Sequence, residues 1–434
     1  MNSVEVTALE NLLQQAMDSV VIKDSYRSSS IATGAYLRLL ASHRQSFDPD
    51  QRMLTARFEP EIRDNSVREK LLDVISTTLG QHIHNERLQS AAIVTGGLLE
   101  GFKISDLMKH LITIAFCRGA QHAARSFYEC AENTTVDMQF ITLLDGMKIE
   151  RDIEISEGIR LVPVPNDVND FPPYVITLAF GHYTDYYGRT LIILDERVSP
   201  IFAHPSEMST GNGRGPFIRS NVNTAYPNFI VGEFCEALSL STNHIVNYVA
   251  WWAHFDPDEA YAVQTSGRCP AHSPSFHRKN TAMEVNDEDI QKALSLYSAR
   301  KDLSSKVTHK LRVPIDRWTK SKMDVNPVDA FINLGTALES LYLNDISNAG
   351  EYRFRTALRA TWHLGDDSVE RLSLMGDFKK IYDLRSQAVH TGSLNQKDWT
   401  PEFMAKAQDL CLKSIVKIIK DGKFPNWNQL VMGE

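Results

Sequence analysis

The spacing of apolar positions changes character along the chain. Over residues 1–132 it is helical: Leu9, Leu12, Leu13 and Met17 recur at helical intervals, and so do Leu71, Leu72, Val74, Ile75 and Leu79, with a mostly polar stretch around His43–Asp50 between them. From Met138 to Ile201 the period shortens. FITLLDGMKIERDIEISEGIRLVPVP alternates apolar with polar residues, is rich in β-branched side chains, and is punctuated by the turn pairs Asp145-Gly146 and Glu157-Gly158; YVITLAFGHYTDYYGRTLIILDERV continues it. A small antiparallel sheet domain is predicted, with a mixed segment to about residue 262. Residues 263–281, VQTSGRCPAHSPSFHRKNT, lack apolar periodicity and read as a linker.

Five helix signatures follow. Asp287–Lys301 is amphipathic. Asn326-Pro327 pairs an N-cap with proline at the first helical position ahead of PVDAFINLGTALESLYL. Tyr352–Leu364 ends at Gly365 and Asp367–His390 at Gly392, glycines placed where a left-handed cap is usual. The last starts at Thr400-Pro401-Glu402 and carries Phe403, Ala407, Leu410, Ser414 and Ile418 on one side. Their short connections predict an antiparallel bundle. The expected fold class is therefore α+β multidomain: a helical, regulatory N-terminal region over 1–132, a central antiparallel β-rich sensor domain over 133–262, a linker over 263–281 and a C-terminal all-α bundle over 282–434.

A length of 434 residues exceeds one ordinary core. With 43% hydrophobic and 23% charged residues, the composition is that of a globular protein, neither disordered nor fibrous. The formal net charge of −8 rules out a general electrostatic grip on phosphates, so any nucleic acid must be met locally by a few Lys and Arg. Five scattered cysteines without a C-x-x-C pair suggest neither a disulfide framework nor a zinc ribbon. No apolar run approaches membrane-spanning length and the N-terminus lacks a basic-then-apolar leader, so a cytoplasmic protein with no membrane partner is expected.

The segment DFKKIYDLRSQAVHTG carries the candidate chemistry. At about 100° per residue, Phe378, Ile381, Tyr382, Ala388 and Val389 share an apolar arc, and Arg385 falls in its middle. An unpaired guanidinium is costly to bury, so Arg385 should meet a carboxylate, a subunit interface or an anionic ligand. Glu339, at the edge of the apolar face of FINLGTALESLYL, is the nearest carboxylate, and a purely structural Arg385–Glu339 pair is the competing reading. His390, five positions on, lies about 140° around an ideal helix from Arg385. The two converge only if the last turn unwinds toward Gly392 or a two-fold mate supplies its own copies. A histidine there is otherwise a cap favoured by the helix dipole.

The stretch from about Arg317 to Lys420 resembles the HEPN superfamily, specifically its ApeA-like branch, in ALESLYL, RFRTALRATWHLGDD, YDLR and the R-x-x-x-x-H pattern Arg385-Ser-Gln-Ala-Val-His390 followed by Thr-Gly. It covers roughly a quarter of the chain, and the sheet region LLDGMKIERDIEISEGIRLVPVP is similar to segments that precede such domains. The resemblance implies a metal-independent endoribonuclease of anti-phage defence and abortive infection, or of toxin and antitoxin systems, that works as a homodimer on an RNA substrate without cofactor or metal. Arg385 and His390 would be the catalytic pair, with Glu339, Ser386 and Tyr382 in support. The wider superfamily often has Asn, Asp or His where Ser386 stands. An imidazole can hold either protonation state near neutrality and a guanidinium can fork onto phosphate oxygens, which suits RNA cleavage by its own 2′-hydroxyl. The front of the chain would restrain the nuclease until a phage-derived protein activator binds. The alternative is a non-catalytic HEPN-like dimerisation or binding module.

Other signals read as ordinary structure. Cys269, His272 and His277 lack a fourth ligand, and His82 and His84 lack companions. The glycines of Thr210–Gly215 do not form a phosphate-cradling pattern, although Arg214 and Arg219 could touch an acidic partner. Tyr248, Trp251, Trp252 and Phe255 read as core.

Overall fold

The computed structural model describes residues 3–24, 58–83, 90–95, 98–132, 135–165, 189–198, 201–203, 230–256, 258–263, 267–268, 282–345, 350–395 and 397–432. It is a mixed α+β protein of two compact units, one drawn from Met1–Ile230 and Tyr248–Ala282, the other from Val231–Asn247 and Met283–Glu434. This division differs from the expected one. The N-terminal helices and the β-rich stretch share a unit, and residues 231–247 belong with the C-terminal helices.

In the first unit, helices α1 (Ser3–Ser19), α2 (Asn65–Ile83), α3 (Ile104–Arg118) and α4 (Ala120–Ala131) close around Leu9, Leu13, Leu71, Ile75, Leu79, Leu107 and Leu111. The helical spacing read from residues 1–132 thus marks real core positions, but the region is not helical throughout. Strand β1 (Val20–Asp24) pairs antiparallel with β2 (Phe58–Ile62), and β3 (Ser90–Thr95) with β4 (Leu98–Lys103). Val20-Val21-Ile22 and Ile93-Val94-Thr95 are β-branched runs that crowd a helix and fit a pleat.

The expected central sheet is present. Strands β5 (Val136–Asp145), β6 (Met147–Lys148), β7 (Ile153–Ser156), β8 (Ile159–Pro163) and β9 (Thr190–Val198) follow in order, then β10 (Ile201–Ala203), which pairs with β3. β5, β7, β8 and β9 with β11 (Asn247–Phe255) and β12 (Gly267–Arg268) build a six-stranded sheet of order β12-β11-β5-β9-β8-β7, of which β6 is not a part. The pairs β5–β9, β9–β8, β8–β7 and β11–β12 are antiparallel. Glu157-Gly158 makes the β7–β8 turn, where Gly158 sits at φ 74°, a left-handed conformation that favours glycine. β12 lies within the expected linker; its pairing partners are Trp251 and Trp252. Of the aromatic group read as core, Phe255 is buried and Tyr248 is exposed.

The second unit is all helix in its described core. α5 (Val231–Thr242) packs on α6 (Asp287–Lys301), with the rings of Phe234 and Tyr297 edge to face at 6.1 Å and an ion pair between Glu236 and Arg300. Then come α7 (Ser305–Met323), α8 (Pro327–Tyr342), α9 (Tyr352–Leu364), α10 (Ser368–Thr391), α11 (Pro401–Asp421) and the short α12 (Trp427–Met432). α7 runs antiparallel to α8, α8 to α10 and α9 to α10, as their matched side chains show: Arg317 with Asn333 and Lys310 with Asn344 across α7–α8, Tyr342 with Phe378 and Glu339 with Arg385 across α8–α10, Arg353 with Asp383 and Arg371 with Trp362 across α9–α10. Ala407, Leu410, Ser414 and Ile418 of α11 are buried as their spacing predicts.

Four of the five helices read from the pattern start at a side-chain cap: Asn286, Asn326, Asp367 and Thr400 each accept a hydrogen bond from a first-turn backbone N–H, whereas Glu351 before α9 makes no such bond. α7 was not among them, and Pro314 at its centre is a residue that removes a helical donor and ordinarily interrupts a helix. Gly392 adopts the expected left-handed cap at φ 64°. Gly365 does not: it is extended at φ −88°, ψ 130°. Its need is space, since a Cβ there would lie 2.8 Å from Arg371 Cγ and 3.0 Å from the Thr361 carbonyl oxygen.

Among the described residues no helix is long and apolar enough to cross a membrane. Thr210–Gly215, Arg214, Arg219, His84, Cys269, His272 and His277 lie outside the described residues.

Candidate functional site

α10 carries both residues of the R-x-x-x-x-H pattern. Its 24 residues bury Leu374, Phe378, Ile381, Leu384 and Ala388 against the rest of the unit. That set centres the buried arc on Ile381, so Arg385 sits about 40° off its middle, on the side of the half-buried Tyr382, and Val389 is exposed. The charge is half-buried at a seam, with its stem against one helix and its head near the surface.

The partner is the one the pattern singled out. Arg385 Nη2 donates to Glu339 Oε2 at 3.0 Å across α8–α10, and the two side chains keep 23% and 24% of their exposure. Nε of Arg385 is buried without a protein acceptor. The guanidinium lies 5.7 Å from the centroid of the Tyr382 ring. Burial raises the Tyr382 hydroxyl pKa, and the Glu339 carboxylate beside it pushes in the same direction.

Gly335, one turn before Glu339, explains how α10 comes this close. A Cβ on Gly335 would overlap Arg385 Cγ and stand 2.8 Å from Arg385 Cβ. The arginine stem occupies the space that a side chain would take. Gly335 and Glu339 therefore form an i, i+4 cradle, one for the stem and one for the charged head.

His390 is exposed in the last turn and has no hydrogen bond or ion pair among the described residues. α10 stays helical through Thr391, with the Gly392 N–H bonded to the Ala388 carbonyl at 3.0 Å, so the last turn does not unwind. Arg385 and His390 thus remain about 140° apart around one helix and do not converge within a single chain. Ser386 is half-buried and makes no hydrogen bond among the described residues.

A second polar group, missed in the sequence, is sealed in the same unit. The Tyr342 hydroxyl donates to Ser414 Oγ at 2.6 Å, Ser414 Oγ donates to the Leu410 carbonyl at 2.8 Å, and His363 Nδ1 lies 3.1 Å from the Tyr342 oxygen. With its proton committed to Ser414, Tyr342 can only accept from His363, which places the imidazole proton on Nδ1. Nε2 is then buried without a partner, and burial lowers the His363 pKa to about 4. Arg359, one turn earlier, donates to the Tyr342 carbonyl at 2.6 Å, to both Asp345 oxygens and to Asn428. The i, i+4 spacing of Arg359 and His363 was the available signal, since it puts both on one face of α9. This cluster ties α8, α9, α11 and α12 together and has no opening for a substrate.

Among the described residues no group of three or more His, Cys, Asp or Glu could hold a metal ion. Compared with known proteins, the chain matches no family model, no curated protein and no solved structure.

Proposed function

We propose that the chain is a metal-independent endoribonuclease of the HEPN type, acting in anti-phage defence as a homodimer whose composite site takes Arg385 and His390 from two copies. The observation that carries this reading is the placement of the two residues on α10. Arg385 is a half-buried cation fixed by Glu339 and Gly335, while His390 is exposed about 140° away, so one chain holds the parts of a site without the site. A two-fold mate laid along this end of α10 would bring a second guanidinium and imidazole to the first.

The chemistry uses the substrate's own 2′-hydroxyl. One His390 accepts its proton, the 2′-oxygen attacks phosphorus, and the other His390 protonates the departing 5′-oxygen; the products carry a 2′,3′-cyclic phosphate and a 5′-hydroxyl. Arg385 stabilises the phosphorane charge. Tyr382 and Glu339 hold the guanidinium in place, and the first unit restrains the nuclease until a phage-derived protein binds.

The test is incubation of the purified protein with total RNA, with and without EDTA, beside Arg385→Ala and His390→Ala proteins. Metal-insensitive cleavage lost in both folded variants is expected; cleavage at the wild-type rate by either would sink the reading. One observation favours a second reading, a non-catalytic dimerisation or binding module: the Arg385–Glu339 pair already satisfies one edge of the guanidinium without a ligand. Inertness of the wild-type protein with every activator tried would select it.

A further inference from the structure

α7 is the most basic element among the described helices of its unit. It carries Lys306, Lys310, Arg312, Arg317, Lys320 and Lys322 against the single carboxylate Asp316, in a chain of net charge −8. Its buried face is Leu311, Pro314, Ile315 and Trp318. At about 100° per residue, Lys306, Lys310, Val313, Arg317 and Lys320 share a stripe on the border of that face. The stripe is roughly 20 Å long at 1.5 Å per residue.

Two of its members fix where the stripe lies. Lys310 Nζ donates to Asn344 Oδ1 at 2.8 Å and Arg317 Nη1 donates to Asn333 Oδ1 at 3.0 Å, so it runs along one flank of α8. The opposite flank of α8 meets Arg385 through Gly335 and Glu339. Between the flanks α8 shows the half-buried residues Ile332, Thr336 and Ser340, with the exposed Asp329 at its N-terminal end. α8 is thus the floor of a shallow trough, banked by the α7 cations on one side and by Arg385 and Tyr382 on the other. Asp316 pairs with Lys320 at 2.9 Å, while Lys306 is exposed and has no carboxylate partner among the described residues.

We infer that this trough is a binding track for single-stranded RNA, with the α7 stripe gripping successive phosphates and delivering the strand to Arg385; the inference rests on the ribonuclease reading of that residue. Neighbouring helices lie about 8–10 Å apart, so a trough one helix wide admits a strand and not a duplex. Cations on flexible stems beside a weakly polar floor grip the backbone without reading bases.

The test measures binding of a 2′-O-methyl single-stranded RNA oligonucleotide, which cannot be cleaved by its own hydroxyl, to the full chain by fluorescence anisotropy over a salt series. A Lys306→Gln/Arg317→Gln/Lys320→Gln protein should bind at least about tenfold more weakly, with a salt dependence shallower by about 2 in log–log slope, three contacts at ~0.7 each. Lys306→Glu/Lys320→Glu alters only exposed side chains and should weaken binding even if loss of the Arg317–Asn333 bond unsettles the triple variant. A Lys292→Gln/Lys301→Gln protein, altered on α6, should bind like wild type. Unchanged binding by the α7 variants, equal weakening by the α6 variant, a wild-type protein that does not bind, or equally tight binding of polyglutamate would each overturn the track. Wild-type binding without any cleavage would instead leave the track standing and remove the nuclease reading.

Discussion

Arg385 and Glu339 meet across the α8–α10 seam at 3.0 Å, each about three-quarters covered, and Gly335 leaves room for the arginine stem beside them. Partial water access screens such a pair, so its coupling should sit near the upper end of the exposed range. A double-mutant cycle of Arg385→Ala and Glu339→Ala, read by denaturant unfolding, is expected to return about 1 kcal/mol. A coupling indistinguishable from zero would mean that the contact does not position the guanidinium.

Gly335→Ala places a methyl where the Arg385 stem now lies, near the root of the side chain, so the helices must part. A loss of about 1–3 kcal/mol in stability is expected, together with cleavage falling further than the stability loss explains. A variant as stable and active as the parent would show that the close approach is unimportant.

Arg359 forks onto Asp345 and also reaches the Tyr342 carbonyl and Asn428. Lysine has one head and no fork, so Arg359→Lys should lower stability by about 2–3 kcal/mol although charge is kept. Thermal unfolding measures this, and an unchanged midpoint would contradict it.

His110, His254 and His363 are all held neutral by burial, each with its pKa lowered to about 4 from 6.5. The unfolded chain binds protons at these sites that the folded chain refuses, so stability rises with pH through the window and is lost as pH falls from 6.5 toward 4. Replacing His363 with Gln, which can still donate to Tyr342, should flatten the pH dependence of the unfolding midpoint there. An equally steep profile in the variant would show that His363 is not among the groups responsible.

If both His390 imidazoles of a two-fold site take part, a dimer of one wild-type and one His390→Ala chain lacks either the base or the acid. Wild-type protein unfolded and refolded together with an excess of the His390→Ala protein should therefore lose activity steeply, roughly as the square of its fraction in the mixture. A loss merely proportional to dilution would contradict a site assembled across chains.

Much of the C-terminal unit was legible because its helices announce their own ends. Asn326, Asp367 and Thr400 cap as their residue types demand, and the apolar positions of Pro401–Asp421 are the buried ones. Glu339 was legible as a partner because a charge on an apolar arc must be answered, and Glu339 stands at the edge of a neighbouring helix's own apolar face. The position of Arg385 within the arc was legible only in part: the apolar residue types put it at the centre, whereas the buried residues centre on Ile381, with Tyr382 half-buried and Val389 exposed. α7 was hidden by Pro314, which lies inside the helix and is buried on the same face as Trp318. The strands at Val20–Asp24 and Ser90–Thr95 are obscured by strong helical spacing around them; the first pairs with a strand distant in sequence, and the second pairs with the adjacent β4 and the distant β10. The buried chain from His363 through Tyr342 to Ser414 joins three helices, which no local pattern displays.

α5 belongs to the C-terminal unit, yet the chain both before and after it belongs to the other. The backbone therefore passes between the units three times, and severing it at residue 282 would strip Phe234 from Tyr297 and Glu236 from Arg300. During synthesis α5 emerges well ahead of α6, so its apolar side must wait uncovered until more than forty further residues have been added. Maturation of the helical unit is tied in this way to a segment threaded through its neighbour's half of the gene product, and the two cannot be produced as independent pieces simply by cutting between them.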